Sequence, residues 1–199
     1  MTADTIALLK ITLDDVKPVV LRRIEVPFSI RLDRLHLVLQ AAIGWTNSHL
    51  YEICIDDTGW SVPDPSWRDG PLDASKARLD KVIEDLGRKT FTYLYDFGDG
   101  WSHTIKIERL TDAIPGLVYP NLIEASGRCP PEDIGGPAGY ADFLEAIADP
   151  QHEGHADALE WAEPDFDPHP ADIATHQSAI AALTKRWAPK PRAKRTKPI

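Results

Sequence analysis

The segment Phe91–Ile107, FTYLYDFGDGWSHTIKI, constrains the fold of this chain more than any other. Bulky residues recur at every second position on both sides of a glycine-rich centre: Phe91, Tyr93, Tyr95 and Phe97 before it, Trp101, His103, Ile105 and Ile107 after it. Successive side chains of a strand point to opposite faces, so the pattern predicts an antiparallel hairpin with one heavy aromatic face that other elements must cover. A slip of one residue would move every side chain to the other face, so loop length matters. A two-residue loop sets Leu94 against His103 and places the aromatic set back to back with Ile105 and Ile107. A three-residue loop, Gly98-Asp99-Gly100, opposes Phe97 to Trp101, Tyr95 to His103, Tyr93 to Ile105 and Phe91 to Ile107. Asp96, Ser102, Thr104 and Lys106 then share the outer face. This loop also suits a type I turn closed by a left-handed residue at Gly100, and it is the expected register. His103 therefore faces inward, either as a core histidine satisfied by a tyrosine or backbone carbonyl, or as a cleft base or metal ligand. Asp99, at the tip, has the composition of an ordinary turn.

Elsewhere the periodicities alternate between two and 3.6. Ala7, Leu9, Ile11 and Leu13 predict a first strand, and Val19–Val26 a second that stops at Pro27. Asp33 is placed to cap a helix running to about Ile43, with Leu35, Val38, Leu39, Ala42 and Ile43 on its buried face and Gly44 as its C-terminal glycine. His36 and Gln40 fall on the opposite side of that helix and are expected to be exposed. His49–Ile55 reads as a strand, residues 57–78 as a loop with a short strand near Trp60–Val62, and Leu79–Asp85 as a brief helix ended by Gly87. After the hairpin come a loop over Gly127–Pro137 and helices near Tyr140–Ala148, His152–Ala162 and Ala171–Trp187. Strands early and helices late, without βαβ alternation, predict an α+β fold: a mainly antiparallel sheet, one early helix packed on it and a C-terminal group of helices. The expected domain spans 1–187, with a basic tail over 188–199 that is expected to be disordered.

Composition narrows the class. The chain has 199 residues, 43% hydrophobic and 27% charged, which is ordinary globular usage. No stretch approaches the roughly 18 apolar residues of a membrane helix, and the acidic start MTADTIALLKITLDD does not read as a signal peptide. With Cys54 and Cys129 as its two cysteines, the chain is expected to be cytoplasmic and reduced. Lys185, Arg186, Lys190, Arg192, Lys194, Arg195 and Lys197 hold 7 of the 22 basic residues, which leaves 15 against 31 acidic residues over 1–184. So acidic a body repels a phosphate backbone. Contact with nucleic acid is expected only through the tail, at Lys190, Arg192, Lys194, Arg195 and Lys197.

The strings YDFGDGWSH (Tyr95–His103) and RCPPEDIGGPAGY (Arg128–Tyr140) resemble the plasmid pRiA4b ORF-3-like family, which also occurs as an accessory reading frame in insertion elements. Leu21-Arg22-Arg23, Leu35-His36, Trp45, His49-Leu50, His152–Trp161 and Phe166-Asp167-Pro168 extend the resemblance over about residues 5–170. It implies fold and mobile-element context, and no chemistry. The resolvase label given to some insertion-element members has no support in this chain, which shows neither a basic groove nor a serine-recombinase motif.

Residues of metal-ligand type crowd the loops: His49, Asp96, Asp99, His103, Cys129, Glu132, Asp133, His152 and His155. Their spacings are not those of a zinc motif. His152-Glu153-Gly154-His155 is not H-E-x-x-H, and Cys129 has no CxxC partner. No cofactor is expected. A zinc ion at His103, Cys129, His49 and His155 is the alternative, and Cys129 activated by His103 is a weaker one. Glu132 and Asp133 precede a helix and could simply stabilise its positive end. No phosphate loop, dinucleotide fingerprint or Gly-x-Ser-x-Gly elbow is present. The expected function is therefore an accessory module that binds a protein or small ligand, in no membrane, through an aromatic and acidic cleft of Tyr95, Asp96, Asp99, Trp101, His103, Cys129, Glu132 and Asp133. A metal-dependent hydrolase using His103 and nearby carboxylates is the competing reading.

Overall fold

The computed structural model describes residues 4–67, 69–162 and 166–188. Its elements are β1 (Thr5–Leu13), β2 (Leu21–Pro27), α1 (Leu32–Ile43), β3 (Tyr51–Ile55), β4 (Thr58–Ser61), β5 (Leu72–Asp73), α2 (Leu79–Leu86), β6 (Thr90–Tyr95), β7 (Trp101–Asp112), β8 (Asn121–Ser126), α3 (Gly136–Ala148), α4 (His155–Trp161) and α5 (Ile173–Trp187). The eight strands form one sheet in the order β5-β4-β3-β6-β7-β1-β2-β8. Every pairing is antiparallel except β4 with β5. β8, a segment to which the sequence assigns no element, completes the β2 edge.

The alternation expected of the strands holds across the sheet. Cross-strand pairs Ala7–Val26, Leu9–Ile24, Ile11–Ile105, Tyr93–His103 and Tyr51–Tyr95 place one continuous row set on a single face. Those residues are buried and share a core with Leu35, Val38, Leu39 and Ala42 of α1. The other face is polar, where Arg23 of β2 bridges Glu108 of β7 and Glu124 of β8. This is the pattern of a sheet covered on one side and wet on the other. α5 lies against α1 and β8, and α3 against α4.

The hairpin closes two residues earlier than the three-residue loop requires. Tyr95 pairs with Trp101, Leu94 with Ser102, Tyr93 with His103 and Phe91 with Ile105. The side chain of Asp96 decides this. With φ of +55° the chain leaves the ladder at Asp96, whose carboxylate accepts the Gly98 N–H and whose carbonyl accepts that of Gly100 at 2.7 Å. The Asx turn absorbs Phe97, which is exposed. Because the shift is an even number of residues, the inward set is otherwise intact, and Gly100 keeps the expected positive φ of 70°.

α1 also departs from expectation. It starts at Leu32 with Arg31 as its N-cap, and Asp33 sits in the first turn without capping. His36 and Gln40 are buried, not exposed, because their side of α1 also meets the sheet: the His36 ring stacks on Tyr51 at 3.6 Å, and both side chains reach the Tyr93 hydroxyl. Among the described residues no helix is long and apolar enough to cross a membrane.

Candidate functional site

Two segments meet over the sheet end where β6 and β7 turn: the hairpin tip, Asp96–Gly100, and the loop Cys129–Gly135 that leads into α3. The link is made at several points. Asp99 Oδ2 accepts the Gly135 N–H at 3.1 Å. A Cβ on Gly136, whose φ is +71°, would stand 2.2 Å from the Asp99 carbonyl oxygen, so this approach requires glycine. Trp45, in the turn after α1, donates its indole N–H to Pro130 O at 3.0 Å. Its ring stacks on Tyr95 at 5.0 Å and meets His103 edge-on at 5.4 Å.

Tyr95 is the hub of this junction. Its hydroxyl accepts the backbone N–H groups of Ser48 and His49 and donates to Glu132 Oε1 at 2.6 Å. The second Glu132 oxygen takes the Thr46 N–H and hydroxyl. The Tyr95 hydroxyl is held protonated, its pKa raised first by burial and then by the Glu132 carboxylate. Neither Glu132 nor Asp133 is bonded at the start of α3, whose N-cap Gly135 gives its N–H to Asp99. Asp133, at φ +60°, instead brings Oδ1 to 3.1 Å from His49 Nε2. His49 Nδ1 lies 3.6 Å from Asp96 Oδ2.

Of the remaining candidates, His103 and Trp101 are fully buried, with His103 Nε2 and Trp101 Nε1 lacking a hydrogen bond, and Cys129 and His155 are half-buried on backbone carbonyls. His103 has no exposed surface, and its Nδ1–H donates to Tyr93 O at 3.0 Å. Burial pulls its pKa down to about 4, so the ring is neutral. Trp101 is fully buried. Burial pushes the Cys129 thiol well up, and its Sγ donates to Pro130 O, so it is no ready nucleophile. His155 starts α4 with Nδ1 on Ala146 O. The zinc set read from sequence is therefore not assembled. Among the described residues the one group of at least three donors gathered together is His49, Asp96 and Asp133, with ligand atoms within 4.8 Å of one another. Lys190, Arg192, Lys194, Arg195 and Lys197 lie outside the described residues.

On the far side of the Cys129–Glu132 loop is a cavity of about 650 Å³, between that loop and the start of α5. Trp45, Trp161 and Phe166 give it aromatic walls, and Arg128, Glu132, Asp172 and His176 are its charged or titratable lining. The carboxylates are engaged already: Glu132 as above, and Asp172 by the N–H and hydroxyl of Thr175 at the head of α5. Behind this wall lies Arg22, which the sequence marks through the family resemblance and not as a functional residue. Arg22 is 1% exposed, in the inward row of β2 between Val20 and Ile24. Its guanidinium donates to the carbonyls of Ala42, Leu21, Ser126 and Gly127. It has no carboxylate partner among the described residues, and its Nη2 is buried without a hydrogen bond. The strict alternation Val20, Arg22, Ile24, Val26 was the signal that would have found it.

A sheet covered on one face, joined at one end by the aromatic hairpin and the Cys-Pro-Pro loop, defines the class. The chain belongs to the family described as plasmid pRiA4b ORF-3-like protein, which it matches over residues 5–175. It is 55% identical over 187 residues to "Uncharacterized protein y4hQ" of Sinorhizobium fredii (strain NBRC 101917 / NGR234), covering 94% of this chain and 96% of that one. It is also similar to the crystal structure of "Protein of Unknown Function MM3350 from Methanosarcina mazei Go1", with TM-score 0.79, 30% identity, and 87% of this chain and 98% of that chain covered.

Proposed function

We propose that the chain is a binding module that takes a small organic anion with a flat apolar body into the cavity beside the Cys129–Glu132 loop. The observation that carries this is Arg22. A buried guanidinium faced only by carbonyls is an uncompensated charge, which costs several kcal/mol of solvation and is ordinarily retained with a counter-ion. Two backbone segments hold it, at Ala42 and Gly127, and each runs directly into the cavity lining, at Ile43-Gly44 and Arg128-Cys129. A positive field behind the cavity, with Arg128 beside it, selects an anion, while Trp45, Trp161 and Phe166 supply flat apolar walls. The expected aromatic character of the cleft is kept in this reading, and its expected acidic character is not, because Glu132 and Asp172 are occupied. The hydrolase alternative is set aside, since a fully buried His103 presents no nitrogen to a ligand. Contact with nucleic acid is assigned to the basic tail alone, on charge.

A charge-matched pair tests the reading. 3-Phenylpropionate should quench tryptophan fluorescence excited at 295 nm in a saturable way and raise the melting temperature, whereas 3-phenylpropylamine should do neither. Trp161→Ala, at an exposed rim position, should weaken the effect without unfolding the protein. Equal response to both compounds, or to neither, rejects the proposal.

A further inference from the structure

We propose that His49, Asp96 and Asp133 hold a divalent cation of the first transition row. Two ligands of one ion point at the ion and not at each other. Donors about 2.1 Å from a metal stand roughly 3–3.5 Å apart. His49 Nε2 and Asp133 Oδ1 are separated by 3.1 Å, yet that nitrogen is shielded from solvent and makes no hydrogen bond. The carboxylate oxygen is at ligand spacing from the nitrogen but out of line with it. Asp96 completes the set, with one atom from each of the three residues lying within 4.8 Å of the others.

The fold holds each ligand independently of any ion. The Tyr95 hydroxyl binds the N–H of His49. Asp96 commits Oδ1 to the Gly98 N–H and leaves Oδ2 toward His49. Asp133 is fixed from both sides, by Glu132 on Tyr95 and by Gly135 on Asp99. Three ligands from three separate segments, held from behind in this way, form a preorganised site. Exposure of the side chains rises from 10% at Asp96 through 29% at His49 to 63% at Asp133. The site is thus most open at Asp133, where water or a further ligand completes the coordination. One imidazole and two carboxylates match zinc, manganese or ferrous iron better than magnesium or calcium, which favour oxygen alone. Nothing in this assignment depends on the cavity near Arg22.

The test uses full-length protein stripped with a chelator and then titrated with Zn²⁺, Mn²⁺, Mg²⁺ or Ca²⁺ by calorimetry and thermal melting. Zn²⁺ or Mn²⁺ should bind at one ion per chain and raise the melting temperature. Bound Mn²⁺ should enhance water-proton relaxation, because coordination positions stay open. Asp133→Asn, at an exposed position that folding does not need, and His49→Gln should each weaken binding by about tenfold or more. Asp167→Asn, at the exposed pair with His169, should leave binding unchanged. The proposal is overturned if neither Zn²⁺ nor Mn²⁺ binds, if Mg²⁺ or Ca²⁺ binds more tightly than both, or if Asp133→Asn and His49→Gln bind at full strength.

Discussion

The hydroxyl of Tyr93 holds two buried side chains at once, and removing it should be costly. His36 Nδ1 and Gln40 Nε2 each lie 2.8 Å from Tyr93 Oη. An amide nitrogen can only donate, so Gln40 fills one lone pair of the hydroxyl, and the hydroxyl hydrogen goes to His36 Nδ1. The His36 proton then sits on Nε2 and is donated to Asn47 Oδ1 at 2.6 Å, while the Asn47 backbone N–H returns to Gln40 Oε1 at 3.0 Å. The four residues form a closed hydrogen-bonded ring beneath α1. Tyr93→Phe preserves the aromatic packing and orphans a histidine lone pair and an amide N–H, both on buried residues. Each orphaned buried group costs about 1–3 kcal/mol, so the loss should be roughly 2–6 kcal/mol. In a chain of this size that lowers the melting temperature by about 4–24 °C. Urea unfolding followed by circular dichroism measures it directly, with the dependence on denaturant expected to stay constant. Gln40→Leu should cost less in the Tyr93→Phe background than in the wild type, because its partner is already gone. A loss below about 0.5 kcal/mol, or strict additivity of the two changes, would refute the ring.

Acid should destabilise the fold in a defined window. Burial holds His36 and His103 at about 4 against an ordinary 6.5. The unfolded chain therefore takes up these protons first, so stability is level above about pH 6.5 and falls as pH drops toward 4, by about 3 kcal/mol for each histidine across the whole window. Urea midpoints that do not move between pH 7 and 5 would contradict this. Gly100→Ala meets open space and pays only for its left-handed backbone, about 1 kcal/mol, whereas Gly136→Ala drives a methyl into the Asp99 carbonyl and should cost about 2 kcal/mol more. Equal losses in chemical denaturation would show that the hairpin tip and the Cys129–Gly135 loop are not in tight contact.

Most of the strands were legible because a period of two is a local property. Ala7 to Leu13 and Phe91 to Ile107 declare their inward faces without reference to anything distant, and an error of two residues in the hairpin loop leaves that face unchanged. Glycine stops worked for the same reason: Gly44 and Gly87 end their helices in the left-handed region whatever packs around them. What a helix buries is not local. Helical period alone puts His36 on the outer side of α1, but Tyr51 and Tyr93, from strands far along the chain, cover it. The crowding of histidines and acids in the loops does not by itself say which of them meet. Asp96 and Asp133 reach His49 only because Tyr95 and Glu132 join segments far apart in sequence, while His103, equally suggestive as a residue type, is turned into the core and Cys129 is half-buried with its thiol on Pro130 O. Arg22 shows both limits together. Alternation alone could place it inward, but only the assembled sheet reveals that four carbonyls, and no carboxylate among the described residues, receive its charge. Sequence determines which side chains share a face, since that is set by backbone period. Which of them become partners is decided by tertiary structure, since hydrogen bonds and ion contacts need ångström approach between segments whose separation along the chain carries no such information.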